Sequence, residues 1–202
     1  MIAVIDYGMG NLRSVAKALE AIGEEPQVTA RAEDLRAATH LVLPGVGAFG
    51  QCAANLRATG LIDVLEEEVR GRGKPFLGIC VGMQLLAERS EEDCDSTGLG
   101  WLAGSVRRFP IDADRKVPHM GWNDVSASTG TSMFRGIRQP VFYFVHSYYV
   151  ELAEPGLASA TCNYGRSFAA AVAIDNLWAV QFHPEKSQQN GLRFLQNFVA
   201  RS

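Results

Sequence analysis

A chain of 202 residues has the length of one domain and material for one sizeable core. Its composition, 47% hydrophobic and 20% charged with a mean hydropathy of -0.01, excludes the disordered and lipid-embedded classes. Nineteen Lys plus Arg against 22 Asp plus Glu leave a net charge of -3, which argues against a broad basic face for nucleic acid.

Ile2 to Asp6 is a short apolar run ending at Tyr7-Gly8. It lacks the basic start and long apolar core of a signal peptide, so it reads as a first strand and the chain as cytoplasmic. From Leu12 the apolar positions Val15, Ala16, Leu19 and Ile22 keep helical spacing until Gly23. Pro26 to Ala30 reads as a second strand. His40 to Leu43 reads as a third, followed by the loop Pro44-Gly45-Val46-Gly47-Ala48-Phe49-Gly50. Two helical stretches come next, the second with Leu61, Ile62, Leu65 and Val69 on one face. Pro75 to Ile79 is a further strand, and Val81 to Arg89 resumes a helical pattern.

The second half changes character: Val141 to Val150, Ala158 to Asn163, Phe168 to Ile174 and Leu177 to Phe182 read as strands, with a hairpin turn at Asp175-Asn176. A last helix from about Ser187 buries Leu192, Leu195, Phe198 and Val199. The sum is an α/β fold in a single domain over 1–202. It has an open, mostly parallel sheet with helices on both faces and an antiparallel extension. The acidic clusters Glu66-Glu67-Glu68 and Glu91-Glu92-Asp93 read as solvated helix faces.

Cys52, Cys80, Cys94 and Cys162 form no C-x-x-C pair, so neither a zinc ribbon nor a disulfide framework is expected. Gly78-Ile79-Cys80-Val81-Gly82 stands between a predicted strand and a predicted helix and has the form of a nucleophile elbow. There a helix N-terminus favours a thiolate. A small buried cysteine in an ordinary βα turn is the other reading. Among His40, His119, His146 and His183, His40 opens a core strand and His119 falls in a loop, whereas His183 ends a strand, where active sites of such sheets form. In extended backbone Glu185 points the same way as His183 and can orient its imidazole, which yields Cys80, His183 and Glu185 as nucleophile, base and orienter.

Competing motifs are weaker. His183-Pro184-Glu185 matches the H-x-E of zinc deaminases but lacks their P-C-x-x-C, and Gly8-Met9-Gly10-Asn11-Leu12-Arg13 has arginine where a dinucleotide fingerprint needs its third glycine. The Pro44 to Gly50 loop is a tight turn or, for acyl-transfer chemistry, the source of an oxyanion donor from Val46 or Gly47 beside the Val81 N–H.

With these residues the chain resembles the triad-type class I glutamine amidotransferases, and specifically the glutaminase subunits of imidazole glycerol phosphate synthase, of histidine biosynthesis. The likeness rests on Asp6 to Leu12, Pro44 to Phe49, Gly78 to Gln84, Pro118 to Asn123, His146 to Tyr148 and Gln181 to Ser187. Anthranilate synthase and pyridoxal phosphate synthase glutaminases differ in the oxyanion loop, and Val81 departs from the family's frequent leucine. The resemblance implies glutamine as substrate, attack by Cys80, and proton transfer by His183 oriented by Glu185. Gly45, Gln84, Ser147 and Tyr148 would contact the substrate, with no metal or organic cofactor. It further implies a (β/α)8-barrel cyclase partner that receives the ammonia, with Asn11, Trp122, Asn123 and Tyr143 at or near the interface. Activity would stay low until the partner binds its nucleotide, and a Val46 peptide turned with a carbonyl toward the site would explain this. Losing one oxyanion donor costs roughly 10²- to 10³-fold. The alternatives are a glutaminase serving another acceptor and a non-catalytic module with Cys80 a plain thiol.

Overall fold

The computed structural model describes residues 1–92, 96–110 and 116–201. Strand β1 (Ile2–Ile5), helix α1 (Leu12–Glu20), β2 (Pro26–Thr29), α2 (Ala32–Ala37) and β3 (His40–Gly45) open the chain. Then come α3 (Phe49–Ala58), α4 (Ile62–Leu65) running into a π-helical turn, β4 (Phe76–Cys80) and the single-turn helix α5 (Val81–Gln84). Strands β5 (Ala87–Ser90), β6 (Ser96–Thr97), β7 (Leu102–Arg108), β8 (His119–Ala127), β9 (Val141–His146) and β10 (Tyr148–Leu152) follow. The strands β11 (Ala158–Asn163), β12 (Ser167–Ile174) and β13 (Leu177–Val180) precede the last helix, α6 (Gln188–Val199).

Among the described residues nine strands form one sheet in the order β2-β1-β3-β4-β13-β12-β11-β8-β9. The run from β2 to β13 is parallel and the run from β13 to β9 antiparallel. Every residue of β1, β3, β4 and β13 is buried, as strands covered on both faces must be. From β1 to β2 the chain steps one way and from β2 to β3 it steps back past β1, so right-handed crossovers put α1 and α2 on opposite faces. Accordingly α1 packs with α6, and α2 with α4. The hairpin β12-β13 closes through Asp175-Asn176, with Asp175 at φ 47°. Under α6, Phe194 packs against Phe182, which stacks on Phe142 with ring centroids 4.0 Å apart.

Several local expectations give way to tertiary structure. Pro44 and Gly45 belong to β3 and pair with Ile79 and Cys80, because at Pro44 only β4 remains as a neighbour and the missing N–H is not needed. The helical pattern from Val81 stops after one turn; Ala87 to Ser90 becomes β5 because β7 and β6 pair with it in a second sheet, ordered β10-β7-β5-β6. Val141 to Val150 is likewise two strands, broken at Ser147, with β9 in the large sheet and β10 in the small one. His119 opens β8 and is no loop residue. On α6 the buried face is Gly191, Phe194, Leu195 and Phe198, with Leu192 and Val199 half-buried.

The acidic clusters are not simple solvated faces. Glu68 is 1% exposed and its carboxylate meets Lys74 at 2.7 Å, while Glu66 accepts a hydrogen bond from the Trp101 indole. Glu92 accepts the Phe49 N–H at 2.8 Å, satisfying one of the open donors at the start of α3. Asp93 and Cys94 lie outside the described residues.

Candidate active site

At the end of β4, Cys80 takes φ 55° and ψ -111°, a conformation that costs a non-glycine residue about 1–3 kcal/mol and persists only where the surroundings impose it. Here they do. A Cβ on Gly82 would lie 1.9 Å from the Leu43 carbonyl oxygen, one on Gly78 2.8 Å from the Gly82 oxygen, and one on Gly45 2.6 Å from the Gly82 nitrogen. The glycines let β3, β4 and α5 close up and lift Cys80 onto the turn between them. Because α5 has only four residues, the helix dipole expected to favour a thiolate is a minor contribution; what remains is the free N–H groups of that one turn.

His183 lies beyond β13, where its N–H donates to the Tyr143 carbonyl at 2.9 Å and its carbonyl accepts the Ser187 hydroxyl at 2.6 Å. Its Nδ1 is 2.8 Å from Glu185 Oε1, and both side chains are 1% exposed. A carboxylate partner requires the proton on Nδ1, which leaves Nε2 to face the site. That Nε2 is buried and, among the described residues, has no hydrogen-bond partner. Burial pushes the imidazole pKa down, but charge at short range on Cys80 and then Glu185 outweigh it and hold the pKa above its ordinary value. The contact with Glu185 does not come from extended backbone. Glu185 sits in a 3-10 turn, Pro184–Lys186, that folds its carboxylate back under the ring.

Cys80 and His183 line one cavity of about 390 Å³. Of the other expected residues, Val46, Gly47, Val81, Gln84, Ser147 and Tyr148 also line it, whereas Gly45 packs beneath, against Gly82. Gln84 is buried, and its Nε2 donates to the Tyr148 carbonyl at 2.9 Å and to Gln181 Oε1 at 3.1 Å. The Val46 carbonyl accepts from Cys52 Sγ at 3.3 Å, which ties that loop to α3. The sequence assigns no role at the site to Glu92, His146 or Lys186, which also line the cavity, nor to Gln181, whose Nε2 is 3.7 Å from Cys80 Sγ. Only tertiary pairing brings them here. Among the described residues no three His, Cys, Asp or Glu side chains gather as metal ligands would, and no helix is long and apolar enough to cross a membrane.

The Glutamine amidotransferase class-I family matches residues 3–202. The chain belongs to the class I glutamine amidotransferases. It is 48% identical over 200 residues to imidazole glycerol phosphate synthase subunit HisH 2 of Pseudomonas aeruginosa, with 98% of each chain covered. To subunit HisH of the same synthase from Rhodopirellula baltica it is 49% identical, over 98% of this chain and 97% of the relative. Among solved structures, PurLQS from Thermotoga maritima superposes with a TM-score of 0.77 at 19% identity, over 98% of this chain and 96% of that one, a likeness of fold.

In this class I amidotransferase the four expected interface residues divide in two. Trp122 and Tyr143 are register partners on β8 and β9, with ring centroids 6.0 Å apart; Trp122 is 48% exposed, and Asn123 follows it. Asn11 instead reaches Glu185 Oε1 at 3.4 Å, behind the His183 ring. The other described cysteines are less suited to react, since burial pushes the Cys52 thiol up and the Cys162 thiol up to about 12.

Proposed function

We propose that this class I glutamine amidotransferase is the glutaminase subunit of an imidazole glycerol phosphate synthase, acting as one amidotransferase domain in the cytoplasm. The observation that carries the chemistry is Cys80 on its strained turn in the same cavity as a His183 held by Glu185 at 2.8 Å. Cys80 gives its thiol proton to His183 and its Sγ attacks the side-chain carboxamide carbon of glutamine, and the Val81 N–H with a donor from Val46 or Gly47 receives the oxyanion. His183 gives its proton to the departing ammonia, leaving a thioester. It then takes a proton from water, whose oxygen attacks the thioester carbon; glutamate leaves and the thiol is restored.

Within the cavity Gln84, Ser147, Tyr148 and the backbone around Gly45 hold the polar end of glutamine. No metal or organic cofactor takes part. The ammonia passes to a (β/α)8-barrel cyclase that docks at the face carrying Trp122 and Tyr143, with Asn11 and Asn123 at or near the interface, and makes imidazole glycerol phosphate and aminoimidazole carboxamide ribonucleotide. The near-full-length identity to HisH subunits from two organisms supports this acceptor over others.

Glutamate release is to be measured with the chain alone, with cyclase, and with cyclase plus its ribonucleotide. A steep rise across that series, and its loss in Cys80→Ala, are expected. Absence of a glutamine-dependent cyclase product would overturn the assignment, and unchanged turnover in Cys80→Ala would overturn the role of Cys80.

A further inference from the structure

A continuous series of hydrogen bonds, some buried and some half-buried, runs from β8 to the Cys80 thiol. Asn123 Nδ2 lies 3.1 Å from His119 Nε2 and also donates to the Asn163 carbonyl at 3.1 Å. His119 Nδ1 is 3.0 Å from His146 Nε2, and His146 Nδ1 is 2.8 Å from the Tyr148 carbonyl. A carbonyl can only accept, so His146 carries its proton on Nδ1 and accepts at Nε2. His119 therefore also carries its proton on Nδ1, and its Nε2 accepts from the Asn123 amide. Both tautomers are set by the groups at the two ends.

The same Tyr148 carbonyl accepts from Gln84 Nε2, which donates to Gln181 Oε1, and Gln181 Nε2 points at Cys80 Sγ from 3.7 Å. His119, His146, Gln84 and Gln181 are 2%, 6%, 3% and 0% exposed, so these four side chains are shielded from water.

We propose that Gln181 is a positioning residue for Cys80, and that Gln84 and the His146–His119 pair hold it in place and connect it to Asn123 on β8. The proposal rests on the reading of Cys80 as the nucleophile. An amide N–H aimed at sulfur supports the charged thiolate, and in a buried site that support is not diluted by solvent. Asn123 follows the exposed Trp122 on β8 with its side chain on the other face of the strand, beside His119, so one end of this series lies in the strand that carries Trp122 while the thiol sits at the other.

Other groups also face Cys80. His183, backed by Glu185, comes from the turn after β13; Tyr7 comes from the segment after β1 and Cys52 from α3. His146 at the end of β9, Glu92 and Lys186 line the same cavity. Gln181→Met keeps the bulk of the side chain and alters none of these charges, so it removes the hydrogen bond to sulfur together with the one accepted from Gln84.

The test is the rate of Cys80 alkylation by iodoacetamide in the full chain, read by mass spectrometry at pH 7 and pH 10. In Gln181→Met the ratio of the pH 7 rate to the pH 10 rate is expected to fall, by up to about tenfold. His119→Phe keeps the stack on Tyr164, now 4.1 Å between centroids, and breaks the series far from sulfur. A smaller fall, about threefold, is expected there, and a purely structural role would not move this ratio. Wild-type ratios in both variants would overturn the proposal. Alkylation of Cys80 that leaves glutamine hydrolysis intact would instead overturn the underlying role of Cys80.

Discussion

Gly82 backs directly onto Leu43: a methyl group on Gly82 would stand 1.9 Å from the Leu43 carbonyl oxygen. The opposing atom is backbone of a strand paired on both sides, so it cannot swing away as a side chain would. Gly82→Ala must therefore push α5 off β3, and with it the turn that carries Cys80. A destabilisation of about 3 kcal/mol or more is expected, at the upper end of overpacking effects. Urea unfolding measures it, and an unchanged midpoint would contradict this account of the elbow.

Glu185 is expected to act through His183 and not on substrate. Its Oε1 fixes the Nδ1–H tautomer at 2.8 Å and is itself held by Asn11. Glu185→Gln keeps the size and loses the charge, so kcat for glutamine should fall about 10²- to 10⁴-fold while KM stays within a few-fold. A change confined to KM would show that Glu185 binds substrate instead.

The elbow was readable in sequence because its causes are local: glycines two residues to either side of Cys80 announce a close approach whatever it is that approaches. The His183–Glu185 contact was also anticipated, but through extended backbone, whereas a 3-10 turn makes it. Val81 to Arg89 reads as one helix because Leu85, Leu86 and Ala87 are apolar and buried, but from Ala87 the chain pairs as a strand with Leu102 to Val106, far along the chain. The same limit applies to Gln181, His119 and His146. Their partners come from other strands, and no spacing within one segment encodes that they meet.

Glu68 offers a test of stability away from the site. Its side chain is 2% exposed and meets Lys74 Nζ at 2.7 Å, while the same ammonium donates to the Leu35 and Arg36 carbonyls at 2.7 and 2.8 Å near the end of α2. Arg72 also approaches Glu68, at 3.4 Å, but is 63% exposed and compensates poorly. Lys74→Met leaves a buried carboxylate nearly alone and should cost about 3 kcal/mol. Adding Glu68→Leu should return most of that loss in thermal or urea unfolding. A double variant no better than the single one would mean that the carbonyl contacts of Lys74, not the ion pair, carry the effect.

The histidine pair makes stability fall with acid. Burial pushes the His119 pKa down to about 4 and that of His146 down to about 3, from an ordinary value of 6.5. Both folded values are depressed, so between them and 6.5 the unfolded chain binds protons that the folded chain refuses. Their contribution is fully present above about pH 6.5 and is lost progressively as the pH falls toward 4 and then 3. At pH 4.5 the loss is expected to be on the order of 2 kcal/mol per histidine. Carboxylates titrate in the same range, so the informative quantity is a difference: wild type against His119→Phe/His146→Phe, each unfolded in urea at pH 7.5 and pH 4.5. The double variant should lose less on acidification than the wild type, by a few kcal/mol. Equal losses would mean that the pair accepts protons in the folded state, where a proton on His146 Nε2 would remove the acceptor for His119 Nδ1–H and break the bond between the two rings.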